Sequence, residues 1–127
     1  MAPLVVTRCA DCGLLQLLHS VDHGEIYTYG YGYRSGTNDT MRGHLAGIAA
    51  WVTQRCLLGA GDVVVDIGCN DGTLLKSYQV PGLERVGIDA IAGKFQGEIP
   101  DDIRIIEGFF SADLADEALG QKKAKVI

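Results

Sequence analysis

The run DVVVDIG at residues 62–68 constrains the fold more than any other stretch of the chain. Three successive valines are β-branched and apolar on both pleat faces, which suits a central parallel strand buried on both sides. The run enters a glycine turn, GCNDG at residues 68–72, and an apolar segment follows that predicts a helix from about Gly72 to Tyr78. Strand, glycine turn and helix form the opening unit of a doubly wound α/β sheet. Such sheets bind ligands beyond the carboxyl ends of their strands.

The neighbouring text repeats the alternation. Upstream, NDT offers N-cap oxygens, and Met41, Leu45, Ile48, Ala49 and Val52 recur at helical spacing until Gly59 and Gly61. Downstream, Pro81-Gly82 marks a turn, ERVGIDA a second strand, AGKFQGEI a short helix and IRIIEG a third strand. SADLADEAL then reads as a helix, and KAKVI as the opening of a fourth strand. Residues 1–37 differ in kind. They hold a CxxC pair, an aliphatic LLQLLHSV and a glycine- and tyrosine-rich connector, with no sustained helical period. The expected organisation is therefore a small strand-and-loop module over 1–37 and an α/β portion over 38–127. A chain of 127 residues with 47% hydrophobic and 21% charged residues can support one such core.

Charge narrows the ligand. A dinucleotide fingerprint needs glycine at Gly68 and again two and five residues on, where this chain has Asn70 and Thr73. Asp66 and Asp71 flank the turn, and a pyrophosphate held there would meet them at a cost of about 1–3 kcal/mol per close pair. S-adenosylmethionine has no phosphate and carries a sulfonium and an ammonium, so the same carboxylates attract it. Asp89 ends the second strand about twenty residues after the turn, where a carboxylate can accept both ribose hydroxyls. More modest roles stand beside these: Asp71 as a helix cap, Cys56 and Cys69 as core residues, His44 as a helix-surface histidine.

DIGCNDGTLL, with VGIDAI and EGFFSAD later in the chain, resembles the S-adenosylmethionine-dependent C-methyltransferases that act on nucleotide-linked keto-deoxysugars. The resemblance extends upstream to YGYRSGTNDTMRGH, with Tyr31, Tyr33, Ser35 and His44, and to APLVVTRCADCGLLQL. It implies a partial class I methyltransferase, with a Rossmann-like parallel sheet preceded by a zinc-ribbon-like segment. It also implies that Asp66, Gly68, Asn70, Asp71 and Gly72 surround the methionine end of the cofactor and that Asp89 holds the ribose. Phe109 would lie near the adenine, and Tyr33 and Ser35 would close over the cofactor. Read without the family, the tyrosines are packing or turn residues. The family's catalytic base lies in a later histidine-containing stretch that residues 1–127 do not match, so no catalytic residue is named.

Cys9 and Cys12 have the form of a zinc knuckle, which supplies half of the four ligands that structural zinc takes. In the family the other CxxC would precede Met1; within the chain, His19 and His23 offer an alternative completion. A redox CxxC would instead open a helix after a strand, which this layout does not do. The formal charge of −5 disfavours nucleic acid and anionic membrane as partners. No apolar run approaches the ~20 residues that span a bilayer, no basic n-region precedes an apolar block, and the cysteine usage suits a reduced cytoplasmic protein. A parallel sheet that stops at its fourth strand leaves an unpaired edge. The natural protein is thus expected to extend beyond both ends, or to self-associate through that edge. The expected partner is a small-molecule substrate, a nucleotide-linked sugar by the resemblance. The competing functions are a nicotinamide-dependent oxidoreductase and a non-catalytic zinc-ribbon interaction module.

Overall fold

A computed structural model of the chain describes residues 3–95 and 97–127, so Gln96 of the expected AGKFQGEI helix lies outside the described residues. The chain divides into two compact units, residues 1–31 and 32–127.

In the first unit β1 (Val6–Arg8) and β2 (Leu15–Leu17) form an antiparallel hairpin, with Val6 opposite Leu17 and Arg8 opposite Leu15. The connecting turn closes through Gly13 N–H to the Cys9 carbonyl (3.0 Å) and Cys9 N–H to the Leu14 carbonyl (2.8 Å). Gly13 takes the left-handed conformation that this reversal requires (φ 77°). A single helical turn, α1 (His23–Ile26), follows, its first turn capped by the Asp22 carboxylate on Gly24 N–H at 2.8 Å. None of the described residues of this unit is buried.

The second unit is a mixed α/β structure. The Asn38 side chain accepts the Met41 N–H at 2.8 Å and starts α2 (Asp39–Arg55), as the NDT sequence predicts. The helix stops earlier than its glycines suggest, because Leu57 itself adopts the left-handed conformation (φ 49°) just past the Cys56 cap. β3 (Val63–Ile67), β4 (Glu84–Asp89) and β5 (Ile103–Glu107) pair in parallel in the order β3-β4-β5. The chain then returns through α4 (Ala112–Leu119) to the free side of β3. There Val65 N–H bonds the Val126 carbonyl (2.9 Å), and Lys125 N–H bonds the Val63 carbonyl (2.8 Å). The expected fourth strand begins as a single parallel bridge between Val64 and Val126. Order therefore reverses beside β3, which is where a doubly wound sheet opens a crevice at its carboxyl ends.

Two helices expected from the sequence are shorter in the structure. α3 spans only Thr73–Lys76, because Ser77 and Tyr78 turn back on Leu74 and Leu75. The crossover between β4 and β5 is a 3-10 turn at Ala92–Phe95. The alternation of β3 splits the core in two. Val64 packs with Ala49, Cys69, Leu75, Tyr78, Leu83 and Ile103, while Val63 and Val65 pack with Val86, Ile88, Ile106 and Ala118. The sheet is thus covered on both faces, and its carboxyl ends are left to the loops. Among the described residues, no helix is long and apolar enough to cross a membrane.

Candidate functional site

Asp66 and Asp89 lie at the carboxyl ends of the adjacent strands β3 and β4, with the glycine turn between them in sequence. Gly68 leaves β3 with φ 76° and donates its N–H to the Ile88 carbonyl at 2.8 Å. A Cβ added at Gly68 would meet nothing within 4 Å, so the space above the turn is open.

The Asp89 carboxylate is fixed from two sides. One oxygen accepts Asn70 N–H at 2.9 Å and the other accepts Ile91 N–H at 2.8 Å. Each oxygen keeps a further lone pair, which is what a vicinal diol needs. Asp66 is different: it accepts no hydrogen bond from any described residue, and its oxygens remain open to solvent. Partial burial, together with the nearby Asp89 charge, pushes its carboxyl up to about 6. A partly buried carboxylate without a donor is the feature that most plainly asks for a cation. The same environment raises the buried Cys69 thiol to about 12, through burial first and then through Asp66 and Asp89. Cys69 is thus a protonated core residue at neutral pH.

Asn70 and Asp71 are occupied otherwise. The Asn70 side chain accepts Ser35 N–H at 3.1 Å and donates to the Tyr33 carbonyl at 3.1 Å. Asn70 sits at φ 51°, a left-handed position that asparagine tolerates. Asp71, only 2% exposed, accepts Gly36 N–H at 2.8 Å on one oxygen. Its other oxygen accepts the Thr73 N–H (3.2 Å) and the Thr73 hydroxyl (2.5 Å). Burial alone would raise this carboxyl, but the bonds from Thr73 and Gly36 and the Lys76 charge outweigh it and hold the group below the usual carboxylate range. The cap position of α3 is Gly72, without a side-chain cap bond; Asp71 sits one residue before it, bonding Thr73 while also holding the connector.

Four N–H groups of the turn region are spent inside the chain. Gly68 bonds Ile88, Asn70 bonds Asp89, Gly72 bonds the Cys69 carbonyl (2.9 Å), and Thr73 bonds Asp71. At the start of α3 itself, the Gly72 and Thr73 N–H groups are thus bonded locally.

The connector brings Tyr33 and Ser35 to the turn through their backbone. Phe109 lies just beyond β5, next to Gly108, whose N–H bonds the Asp89 carbonyl at 3.0 Å. Asp66, Gly68, Asn70, Asp71, Gly72, Asp89, Phe109, Tyr33 and Ser35 accordingly border one end of the sheet. The sequence reading missed Gly36, Thr73 and Arg34. Arg34 pairs with Glu98 and lies over the Phe95 ring, 5.3 Å from its centre.

The cysteine pair belongs to the hairpin unit. The Cys9 thiol is drawn down chiefly by the Cys12 and Asp11 N–H groups. Among the described residues no group of three or more histidine, cysteine or acidic side chains converges to hold a metal, and His19 and His23 do not complete a set with Cys9 and Cys12. Two thiols do not satisfy a tetrahedral zinc, so no zinc-ribbon is assigned.

No family model matches the chain. Among curated proteins it is similar to a C-methyltransferase NovU of Streptomyces niveus, 28% identical over 116 residues that cover 91% of this chain and 27% of that protein. The chain thus spans about a quarter of the length of this relative. Taken with the three-stranded parallel sheet, the match supports a relationship to the methyltransferases.

Proposed function

We propose that this chain is the S-adenosylmethionine-binding portion of a methyltransferase, and that the whole protein methylates a carbon of a nucleotide-linked keto-deoxysugar. The observation that carries the reading is Asp66, an unpaired, partly buried carboxylate beside Asp89 at the mouth of an open glycine turn. S-adenosylmethionine, when bound, supplies an electrophilic methyl group on a cationic sulfur. Asp66 accepts the ammonium of its methionine end. Asp89, held by two backbone amides, takes the ribose hydroxyls on its remaining lone pairs. Phe109 flanks the adenine, and the connector at Tyr33 and Ser35 covers the cofactor and limits water. Catalysis by such a site is chiefly positioning of nucleophile, methyl carbon and sulfur. Removal of a proton from the acceptor carbon is assigned to no residue of this chain, which by itself binds the cofactor without turning it over.

The acidic turn disfavours a nicotinamide dinucleotide, whose pyrophosphate needs little negative charge around it. Calorimetric titration with S-adenosylhomocysteine and, separately, with NAD tests the reading. Saturable binding of S-adenosylhomocysteine alone is expected. Binding of NAD alone would replace it with an oxidoreductase, and binding of neither would favour an interaction module.

A further inference from the structure

The connector and the glycine turn meet through groups that point at each other rather than into the cleft. Tyr33 carbonyl, Ser35 N–H and Gly36 N–H are bonded by the side chains of Asn70 and Asp71, residues 35 or more positions away. Arg42 reinforces the contact by donating to the Gly36 carbonyl at 2.6 Å. Thr37 hydroxyl closes the segment on itself through the Arg34 carbonyl at 2.9 Å. At Gly36 the approach is so close that an added Cβ would lie 2.7 Å from Thr73 Oγ1 and 3.0 Å from Asp71 Oδ2. Only hydrogen fits there.

From this geometry we infer that Asn70, Asp71 and Gly36 are positioning residues that latch the Tyr33–Ser35 connector over the turn, so that side chains which do not themselves touch the cofactor set how long it stays bound. The inference rests on the cofactor reading above. It also reassigns the polar groups of Asn70 and Asp71, which are spent on the connector and leave Asp66 and Asp89 as the carboxylates that face a ligand. The pairing is selective. Asn70 offers one acceptor and one donor, matched to an N–H and a carbonyl two residues apart, which an ionised carboxylate does not reproduce. Asp71 is anchored by Thr73, so its second oxygen is held still for Gly36. Arg34, just before Ser35, pairs with Glu98 and lies over the Phe95 ring.

Two variants test the latch. Asn70→Gly removes both side-chain bonds yet accepts the left-handed backbone, and Gly36→Ala wedges the connector away and leaves Asn70 intact. The first readout needs no ligand: trypsin cleavage after Arg34, followed as the fragment ending there by mass spectrometry. Both variants should raise that cleavage at least tenfold with far-ultraviolet dichroism unchanged, and Asn70→Asp, which keeps the acceptor but not the donor, should fall between. The second readout is S-adenosylhomocysteine kinetics by surface plasmon resonance. Loss of two hydrogen bonds should speed dissociation roughly tenfold, with association unchanged or faster. Unchanged cleavage in both variants overturns the latch. Raised cleavage with unchanged dissociation overturns its role in retention, because the contacts would then be merely structural. If the unaltered chain binds no S-adenosylhomocysteine, the cofactor reading and the retention role fall together, and the cleavage result still decides whether the latch exists.

Discussion

The hairpin unit and the sheet unit are built from similar aliphatic text and treat it in opposite ways. In the hairpin Leu4, Val6, Leu15, Leu17 and Leu18 all stay exposed; in the sheet Val63, Val64 and Val65 are each nearly inaccessible. The difference is topological rather than compositional. β3 has a strand on one side, the bridge at Val126 on the other, and side chains from helices and loops across both faces. Among the described residues β1 and β2 pair in a sheet of two, and a two-stranded ribbon has no interior of its own. Hydrophobic sequence buries itself only where the fold supplies a second layer.

The largest expected contrast comes from truncating one aliphatic side chain in each unit. Ile88 is buried on β4, and Ile88→Ala should lower unfolding free energy by about 2–4 kcal/mol, through lost burial and the cavity left behind. Leu15→Ala on the exposed hairpin should change it by no more than about 0.5 kcal/mol. Urea titrations of both variants measure this directly. A cost at Leu15 equal to that at Ile88 would break the comparison, since it would mean that the hairpin face is covered in solution.

A smaller effect probes how closely the sheet is packed. A Cβ at Gly87 would fall 2.6 Å from Cys69 Sγ and 2.7 Å from Ile105 Cδ1, so Gly87→Ala should cost about 1–3 kcal/mol by overpacking. At Gly13 in the hairpin turn the nearest obstacle is the flexible Arg8 guanidinium at 3.1 Å, and the cost of Gly13→Ala is the strain of its positive φ, about 1 kcal/mol. Thermal midpoints would rank the two. An equal or smaller loss at Gly87 would show that Cys69 and Ile105 can give way.

The α/β alternation was legible because strands and helices announce themselves by local periodicity, and Val63–Val65 did so most clearly. Helix ends were less so. Gly59 and Gly61 looked like the stop for α2, but Leu57 takes the left-handed position first; α3 ends early because Ser77 and Tyr78 find carbonyl partners one turn back. At the candidate site, Asp66, Gly68 and Asp89 could be placed from strand-end positions alone. The partners of Asn70 and Asp71 could not. Their contacts run to backbone N–H and C=O groups of the connector, which every residue carries, so nothing in the letters at 33–36 marks which acceptor they meet. Gly36 was the one available sign, a glycine at a close approach. Of Cys9 and Cys12 the sequence shows a spacing, and the hairpin adds a turn that lowers the Cys9 thiol, without further ligands among the described residues.

A last stability effect has the opposite sign and separates structure from function. Asp66 titrates at about 6 in the folded chain, against about 3.9 for a free aspartate. Because the folded state holds the proton more tightly, the contribution of this group is fully present below the unfolded value and is lost as pH rises through the folded one. The unliganded chain should therefore lose stability between about pH 4 and pH 6. Asp66→Asn should flatten that slope and, at pH 7, stabilise the chain by on the order of 1–2 kcal/mol after solvent screening. An exposed hairpin carboxylate such as Asp11 should show no comparable gain when changed to asparagine. Ligand binding should move the other way. An ammonium partner favours ionised Asp66, so affinity for S-adenosylhomocysteine should rise from pH 5 to pH 7 and fall about tenfold or more in Asp66→Asn. Chemical denaturation across pH, paired with calorimetric titration, reads both effects on one variant. A variant that is more stable yet binds as well as the unaltered chain would remove Asp66 from the cation site, and a variant less stable at pH 7 would mean that the carboxylate has a partner in solution.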